Sequence, residues 1–410
     1  MGGFLRSTKN FPKPFWVNKR KFLLKATYSR RRNLFLQALK PTHYMFNFFK
    51  KKTETTTPAY LPLKVREVVK ETTDTVTIYF EQTDPYLEYQ PGQFLTLVME
   101  MEGKEQRRSY SLCTSPYVDP FPGITVKRVP GGLFSNYLNE KVFPGKTLHV
   151  LPPLGNFTTT FHSKNRRHFF MIAGGSGITP LMGLLKSVMV NEPESRVTLI
   201  YCSRTEEEII FRAQLQLLEK VNGDRLKVIH NLSRPADTWK GLRGRLSSEL
   251  LKELFAQAEY EPRYEEEYFI CGPEGLMQTT TNALEDLEVD SDRIHRESFF
   301  SAAAHQAQEE AKAGISAGLL TREVGILLEG EEHVVTVAPG KTILEAGLEA
   351  GLSMPYSCQS GLCTACRGRL TSGKVKMDED AGLSEKEIAA GYVLCCVSRP
   401  LSEDIRITIE

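Results

Sequence analysis

The sequence predicts a multidomain chain: an antiparallel β-barrel, then an α/β domain on a parallel sheet, then a small α+β domain of the β-grasp kind. Three observations lead there. Short alternating apolar runs occupy roughly positions 60 to 160, and strand-length and helix-length apolar patterns alternate from about 165 to 300. Beyond 320, a hairpin and a helix lead into a loop with three cysteines, and a fourth follows at a distance.

With 410 residues, 41% hydrophobic and 25% charged, the chain has material for several cores. The net charge of +2 conceals an asymmetry. Residues 1–52 hold fourteen Lys and Arg and no acid, which leaves 38 basic against 50 acidic residues, a net of −12, in the body. An acidic body argues against nucleic acid as a partner. The eight cysteines do not read as a disulfide framework, because four share one metal-type spacing and Cys113, Cys202 and Cys271 fall inside strands or other motifs. A reducing, cytoplasmic setting is expected. The apolar stretch 169–185 is broken by Gly174, Gly175, Ser176, Gly177 and Pro180, so it reads as strand, turn and helix, and no membrane insertion is expected.

Residues 1–59 form a basic tail for which no packed fold is expected. Three readings stand for it: a disordered or artefactual extension with the start at Met45, an organelle-targeting segment, or a tether to an anionic surface.

The first domain is placed at 60–162. Val65, Val68 and Val69, then Val76, Ile78 and Phe80, then Phe94, Leu95 and Leu97 sit in short runs parted by Asp-Pro, Pro-Gly and Gly-Lys pairs. Within this pattern stands Arg108-Ser-Tyr-Ser111. After a strand over Ile124–Val129, Gly131-Gly-Leu-Phe-Ser-Asn136 opens a short helix. An arginine offers a fixed fork to a pyrophosphate, an aromatic ring offers a face to an isoalloxazine, and a glycine-led helix start offers free N–H groups to phosphate. Taken singly, each of these residues is equally at home on a barrel surface; their order carries the signal.

The second domain is placed at 163–300. Phe169–Ala173, Val197–Ser203, Lys227–Leu232 and Tyr268–Cys271 read as strands, each followed by a helix-length run, which predicts a parallel sheet. The first turn, Ala173-Gly-Gly-Ser-Gly-Ile-Thr-Pro180, has Gly175 and Gly177 to let backbone approach a pyrophosphate, Thr179 to cap the helix and Pro180 for its first position. Cys271-Gly272-Pro273 ends a later strand, where a doubly wound sheet places ligands; a buried small residue is the plainer reading of that cysteine. After the second strand, Ser203 and Arg204 are followed by Arg212, and the acids Glu206, Glu207 and Glu208 stand slightly beyond the place that grips a ribose hydroxyl. Arginines there favour a 2′-phosphate, hence NADPH over NADH, the alternative being plain helix-surface charge.

Residues 301–320 are polar and alanine-rich and read as a linker, with His305 solvated. The third domain, 321–410, starts with a hairpin over Glu323–Leu328 and His333–Val337 and a helix over Thr342–Ala350. Cys358, Cys363, Cys366 and Cys396 then stand in the spacing C-x4-C-x2-C-x29-C. Three thiolates on one tight loop and a fourth from a distant strand can enclose a two-iron, two-sulfide cluster. A zinc knot would pair two C-x2-C units and only one exists; free buried thiols are the other alternative. Cys395 adjoins Cys396, and on a strand neighbouring side chains face opposite ways, so only one of them can reach a cluster.

The combination Arg108-Ser-Tyr-Ser111 with Gly132-Leu-Phe-Ser135 resembles the flavin-binding domain of the ferredoxin–NADP reductase family, here joined to a C-terminal domain that resembles a plant-type [2Fe–2S] ferredoxin. The likeness covers the chain from about Pro62. It implies flavin contacts by Arg108, Tyr110, Ser111 and Ser135, and by Lys127 and Val129, for which a solvated strand face is the alternative. It makes Cys271-Gly272-Pro273 the nicotinamide-side motif, and sets Glu297 and Phe299 of Glu297-Ser-Phe299 against the flavin, with Ser111, Cys271 and Glu297 at the point of hydride transfer. Gly391-Tyr-Val-Leu-Cys-Cys396 resembles the ferredoxin stretch in which the later cysteine is the ligand, so Cys396 is the expected fourth ligand. Segments such as Met377-Asp-Glu-Asp and Ala389-Ala-Gly-Tyr-Val-Leu are similar to those of the reductase subunits that serve phenylacetyl-CoA epoxidases. The resemblance implies an oxidoreductase that passes electrons from NAD(P)H through FAD, or FMN as in some relatives, and a [2Fe–2S] cluster to a terminal oxygenase. A ring-hydroxylating, steroid or fatty-acid system is the alternative partner, and a non-catalytic redox sensor the alternative class.

Overall fold

The computed structural model describes residues 60–257, 264–299 and 321–409, except 358, 360, 362, 379–381 and 384. The basic tail, the linker and Cys358 therefore lie outside the described residues.

The first sheet comprises β1 (Leu61–Thr72), β2 (Thr75–Phe80), β3 (Phe94–Met101), β4 (Lys104–Ser111), β5 (Gly123–Lys127) and β6 (Thr147–Val150), in the order β4-β3-β6-β1-β2-β5. Every pairing is antiparallel, and a bridge between Leu112 and Ile124 joins the two ends into a barrel. Alternation at a period of two turns Leu63, Val65, Ile78, Phe80, Leu95 and Leu97 inward, each no more than 1% exposed. Helix α1 (Leu133–Lys141) buries Phe134, Ser135 and Leu138.

The second sheet comprises β7 (Arg167–Gly174), β8 (Arg196–Ser203), β9 (Leu226–Leu232), β10 (Leu242–Arg243), β11 (Glu265–Gly272) and β12 (Ile294–Ser298). Its order, β10-β9-β8-β7-β11-β12, is parallel throughout. Helices α2 (Ile178–Asn191), α3 (Arg212–Asn222), α4 (Ser248–Ala256) and α5 (Glu274–Asp286) follow β7, β8, β10 and β11. All eight residues of β7 are buried, because both faces are covered: Phe169, Met171 and Ala173 enter one core and Phe170 and Ile172 the other. The strand order reverses between β7 and β11, which creates the crevice where such sheets bind ligands.

The start of α2 departs from expectation. Gly177 stands at the cap without a side-chain bond, so Thr179 and Pro180 are the second and third helical residues. The 3₁₀ turn Gly175–Gly177 runs straight into the helix and moves the boundary forward; the missing N–H of proline is harmless anywhere in a first turn. Twelve of the fourteen residues of α2 are buried, since the helix lies between the second sheet and the barrel. A Cβ on Gly183 would stand 2.8 Å from the Thr114 carbonyl oxygen, a measure of how closely helix and barrel approach. In this contact Lys186 Nζ donates to Asp119 Oδ2 at 2.8 Å, and Ser187 Oγ donates to Ser115 Oγ at 2.8 Å.

The third region comprises β13 (Arg322–Leu328), β14 (Glu331–Val337), α6 (Ile343–Glu349), β15 (Arg367–Ser372), β16 (Val375–Met377), α7 (Glu385–Ala389), β17 (Tyr392–Leu394), β18 (Ser398–Pro400) and β19 (Ile405–Ile409). The sheet order is β14-β13-β19-β15-β17, with β13 and β19 parallel as in a β-grasp, and β16 pairs with β18. A capping box starts α6: Thr342 accepts from the Glu345 N–H, and the Glu345 carboxylate accepts from the Thr342 N–H at 2.7 Å. Among the described residues no helix is long and apolar enough to cross a membrane.

Candidate functional site

The carboxyl ends of β7, β11 and β12 meet the end of β4. Parallel register sets Cys271 beside Ala173 on one side and Glu297 on the other. Ser111 Oγ, from the barrel, donates to Glu297 Oε2 at 3.1 Å. The Glu297 side chain keeps some surface exposure, yet burial of its carboxyl pushes it up to about 8, against the opposing pull of the Ser111 hydrogen bond. Cys271 is fully buried; burial first, and then the nearby Glu297 charge, hold its thiol well above the ordinary range. Such a thiol is no nucleophile at neutral pH. The trio is a polar point where barrel and sheet meet, able to hold and orient a proton and to keep water away.

The glycine turn is locked against the Cys271-Gly272-Pro273 turn. A Cβ on Gly177 would stand 2.0 Å from the Cys271 carbonyl oxygen, one on Gly174 2.5 Å from Pro273 Cδ, and one on Gly272 2.9 Å from the Gly174 nitrogen. Gly175, at φ +54°, faces open space. Tyr201 pins the turn from beneath: its hydroxyl donates to the Gly175 carbonyl at 3.0 Å and accepts from the Ile210 N–H at 3.2 Å. With no side chain capping α2, the turn presents bare backbone, a shape that fits the pyrophosphate of a dinucleotide.

On the barrel, Arg108 is exposed and donates to its neighbour's carbonyl, that of Arg107, at 2.6 Å. Tyr110 is half-buried, tilted on Phe134 with ring centroids 6.2 Å apart, and burial raises its hydroxyl pKa. Ser135 uses its hydroxyl within its own loop, accepting from the Val129 N–H at 3.0 Å and donating to the Gly132 carbonyl at 3.4 Å. What that loop offers an anion is the start of α1, which no side chain caps, and Gly131, at φ +71° with nothing within 4 Å of the place a Cβ would take. Together with Arg108 these groups fit a flavin's phosphates. Lys127 is engaged elsewhere: Nζ lies 3.0 Å from Glu208 Oε2 and 3.6 Å from Asp74 Oδ2, tying barrel to sheet. The expected flavin contact of Lys127 would have to share the ammonium with these two carboxylates.

Past the end of β8, Arg204 is exposed, whereas Arg212 is paired with Glu206 at 2.8 Å. The parallel register of β8 and β9 continues past their ends, the Ser233 N–H donating to the Ser203 carbonyl at 3.0 Å and the Arg234 N–H to the Arg204 carbonyl at 2.8 Å. A second Ser-Arg pair thus lies against the first. Sequence reasoning missed it, although the repeat of Ser-Arg after consecutive strands was a readable sign. Phe299, 41% exposed, follows β12 directly.

In the third region Cys363, Cys366 and Cys396 are 5%, 2% and 5% exposed, and none of the seven described cysteines forms a disulfide. The loop turns through left-handed Gln359 (φ +56°) and Gly361 (φ +76°) and is tied by the Gly382 N–H to the Gly361 carbonyl at 2.9 Å. The Cys395 N–H donates to the Cys366 carbonyl at 3.1 Å, which brings the loop's end to the 395–396 segment. That segment is a turn between β17 and β18, not a strand, so opposite-face alternation does not choose between Cys395 and Cys396. Cys395 is fully buried, and burial raises its thiol pKa. Among the described residues no three His, Cys, Asp or Glu side chains gather as a metal set, and Cys358 is outside them. Buried, undisulfided thiols on a tight loop and a nearby turn nevertheless fit a thiolate-held cluster.

Residues 60–159 match the model of the oxidoreductase FAD-binding domain, 171–282 that of the oxidoreductase NAD-binding domain, and 326–401 that of the 2Fe-2S iron-sulfur cluster binding domain. A subunit of the 1,2-phenylacetyl-CoA epoxidase of Escherichia coli (strain K12) is 34% identical over 352 residues, which cover 85% of this chain and 97% of that protein. The ferredoxin reductase component of 3-ketosteroid-9-alpha-monooxygenase from Rhodococcus rhodochrous is 36% identical over 354 residues, covering 84% and 95%. Phthalate dioxygenase reductase shares the fold, with a TM-score of 0.51, 23% identity, and coverage of 86% of this chain and 100% of that one.

Proposed function

Since the chain belongs to the NAD(P)H-dependent flavin reductases that carry a plant-type ferredoxin domain, we propose that it is the electron-supplying subunit of a phenylacetyl-CoA epoxidase. It is an oxidoreductase of the kind that serves oxygenases, and its cofactors are FAD, NAD(P)H and a [2Fe–2S] cluster. The working domain limits are 60–162, 163–300 and 321–410. FAD, when bound, takes two electrons from the nicotinamide and releases them singly to the cluster.

The observation that carries the reading is the Ser111–Glu297 contact beside Cys271, where barrel and parallel sheet meet. In this account the Gly175–Gly177 turn binds the nucleotide pyrophosphate, and Arg108 with the start of α1 binds the flavin phosphates. Cys271 fills the junction and excludes water, while Glu297 holds a proton on its carboxyl up to about pH 8 and Ser111 orients it. Cys358, Cys363, Cys366 and Cys396 hold the iron. Arg204 and Arg234, side by side, support NADPH through its 2′-phosphate.

The test is Cys363→Ser in the loaded full-length protein. NADPH-driven reduction of cytochrome c should be lost and that of ferricyanide retained; equal loss of both would contradict the relay. Reconstitution with the oxygenase subunits of a phenylacetyl-CoA epoxidase should then support NADPH-dependent epoxidation. The Rhodococcus relative favours a second reading, a steroid hydroxylase system, and turnover with that oxygenase alone would select it.

A further inference from the structure

The residues just ahead of the cysteine loop are seated on the barrel. Ser357 Oγ lies 2.5 Å from Thr96 Oγ1 and 2.6 Å from Ser109 Oγ, and the latter two are 3.2 Å apart, so three hydroxyls close a triangle. Thr96 and Ser109 are direct partners across β3 and β4, and Thr96 and Ser357 are 0% and 5% exposed. Beside them Arg107 Nη1 donates to the Tyr356 carbonyl at 3.2 Å, with its guanidinium carbon 4.0 Å from the centre of the Tyr356 ring. Arg107 is itself fixed by Glu105 Oε1 at 2.8 Å and the Tyr60 hydroxyl at 3.3 Å.

Successive residues of a strand face opposite ways. On β4, Arg107 and Ser109 meet the iron–sulfur domain, whereas Tyr110, beside Arg108 in the flavin motif, packs towards the barrel core on Phe134. One strand therefore forms a wall between two sites.

We propose that this face of β4, with Thr96 of β3, is the seat that fixes the cluster loop for electron transfer, and that Arg107, Thr96, Ser109 and Ser357 are positioning residues for the flavin-to-cluster step. The proposal rests on the reductase reading. With both groups bound, the flavin reduced by one hydride would give up two electrons and one proton over two transfers, each electron converting one ferric ion of the cluster to ferrous and the proton passing to water, with the cluster reoxidised by its acceptor between them. The four residues exchange no electrons. Hydroxyl triangle, carbonyl bond and stacked guanidinium hold the loop at one distance from the flavin motif, the geometry on which such a step depends.

The experiment compares the loaded wild type with Arg107→Gln/Ser357→Ala by anaerobic stopped flow, mixing with NADPH and following flavin and cluster absorbance in one trace. The double variant should show flavin reduction at the wild-type rate and cluster reduction slowed by about tenfold or more, the factor that ~1.4 kcal/mol confers on a two-state seating equilibrium. Its cluster content and cluster midpoint potential should match wild type. Cluster reduction at the wild-type rate would overturn the seat. Should the double variant lose its cluster, Arg107→Gln alone, altered only on the barrel, is expected to show the same split, and its absence there would be equally decisive. If wild type itself reduces no flavin or no cluster with NADPH, the functional reading fails, and the seat with it.

Discussion

Gly177→Ala tests the junction most directly. The new methyl carbon would stand 2.0 Å from the Cys271 carbonyl oxygen, 2.4 Å from its carbon and 2.8 Å from the Gly272 nitrogen. Ordinary contact begins near 3.4 Å, so the two turns must part by about 1.4 Å, and every atom met is backbone, held in parallel register with β7 and β12. Overpacking of this kind costs about 1–3 kcal/mol. The shift also moves Cys271 away from its alignment with Glu297 and widens the floor on which a pyrophosphate would rest. Expected outcomes are a melting temperature lowered by several degrees, a KM for NADPH raised at least tenfold, and a flavin content near wild type, because the barrel is untouched. Wild-type melting together with a wild-type KM would refute the claim that this crossing positions the nucleotide.

Two further outcomes follow from buried charge. Lys186→Met strips Asp119 of its buried cation and should destabilise the protein by about 3–5 kcal/mol in denaturant titration, whereas Asp119→Asn/Lys186→Met should cost clearly less; equal losses would deny the pair its burial. For Glu297, the folded carboxyl near 8 lies above its ordinary 4.5, so the folded state binds the extra proton. Stability from this group is complete at acid pH, declines as pH rises from about 4.5 through 8, and is level above; the full span is at most about 5 kcal/mol, less because the side chain is partly exposed. Glu297→Gln should flatten that decline in melting temperatures measured from pH 5 to 9, and an unchanged slope would exclude the buried acid.

The architecture was legible because its signals are local. Alternation in Val76–Phe80, the glycine turn after Ala173 and the cysteine spacing each announce one element, and β2, the β7–α2 turn and the third sheet stand where they point. Contacts between distant segments were not legible. Nothing in the pattern of Lys127 reveals that Glu208 lies 3.0 Å away, and nothing in that of Ser135 reveals that its hydroxyl accepts from the Val129 N–H. Thr179 failed as a cap for a different reason: boundary arguments assume that a turn ends before a helix starts, and here a 3₁₀ turn merges into it. Cys395 and Cys396 were judged as strand residues, yet the chain reverses there. Tyr201, Arg107 and Ser357 carry no motif at all; their hydroxyl and guanidinium groups acquire meaning only once the strands are assembled.

Helix α2 has a consequence for how such a protein can be reshuffled. Nearly enclosed on all sides, it supplies core to the sheet that precedes it and, through Gly183, Lys186 and Ser187, to the barrel. A gene fusion that parted barrel from sheet would bare an apolar helix and a stranded ammonium at once. Among the described residues the iron–sulfur module is attached by hydroxyls and one stacked arginine on the barrel and by an exposed Lys386–Asp292 pair on the second domain, contacts whose loss strands no comparable apolar surface, so it is the piece whose exchange between genes would disturb the other two least.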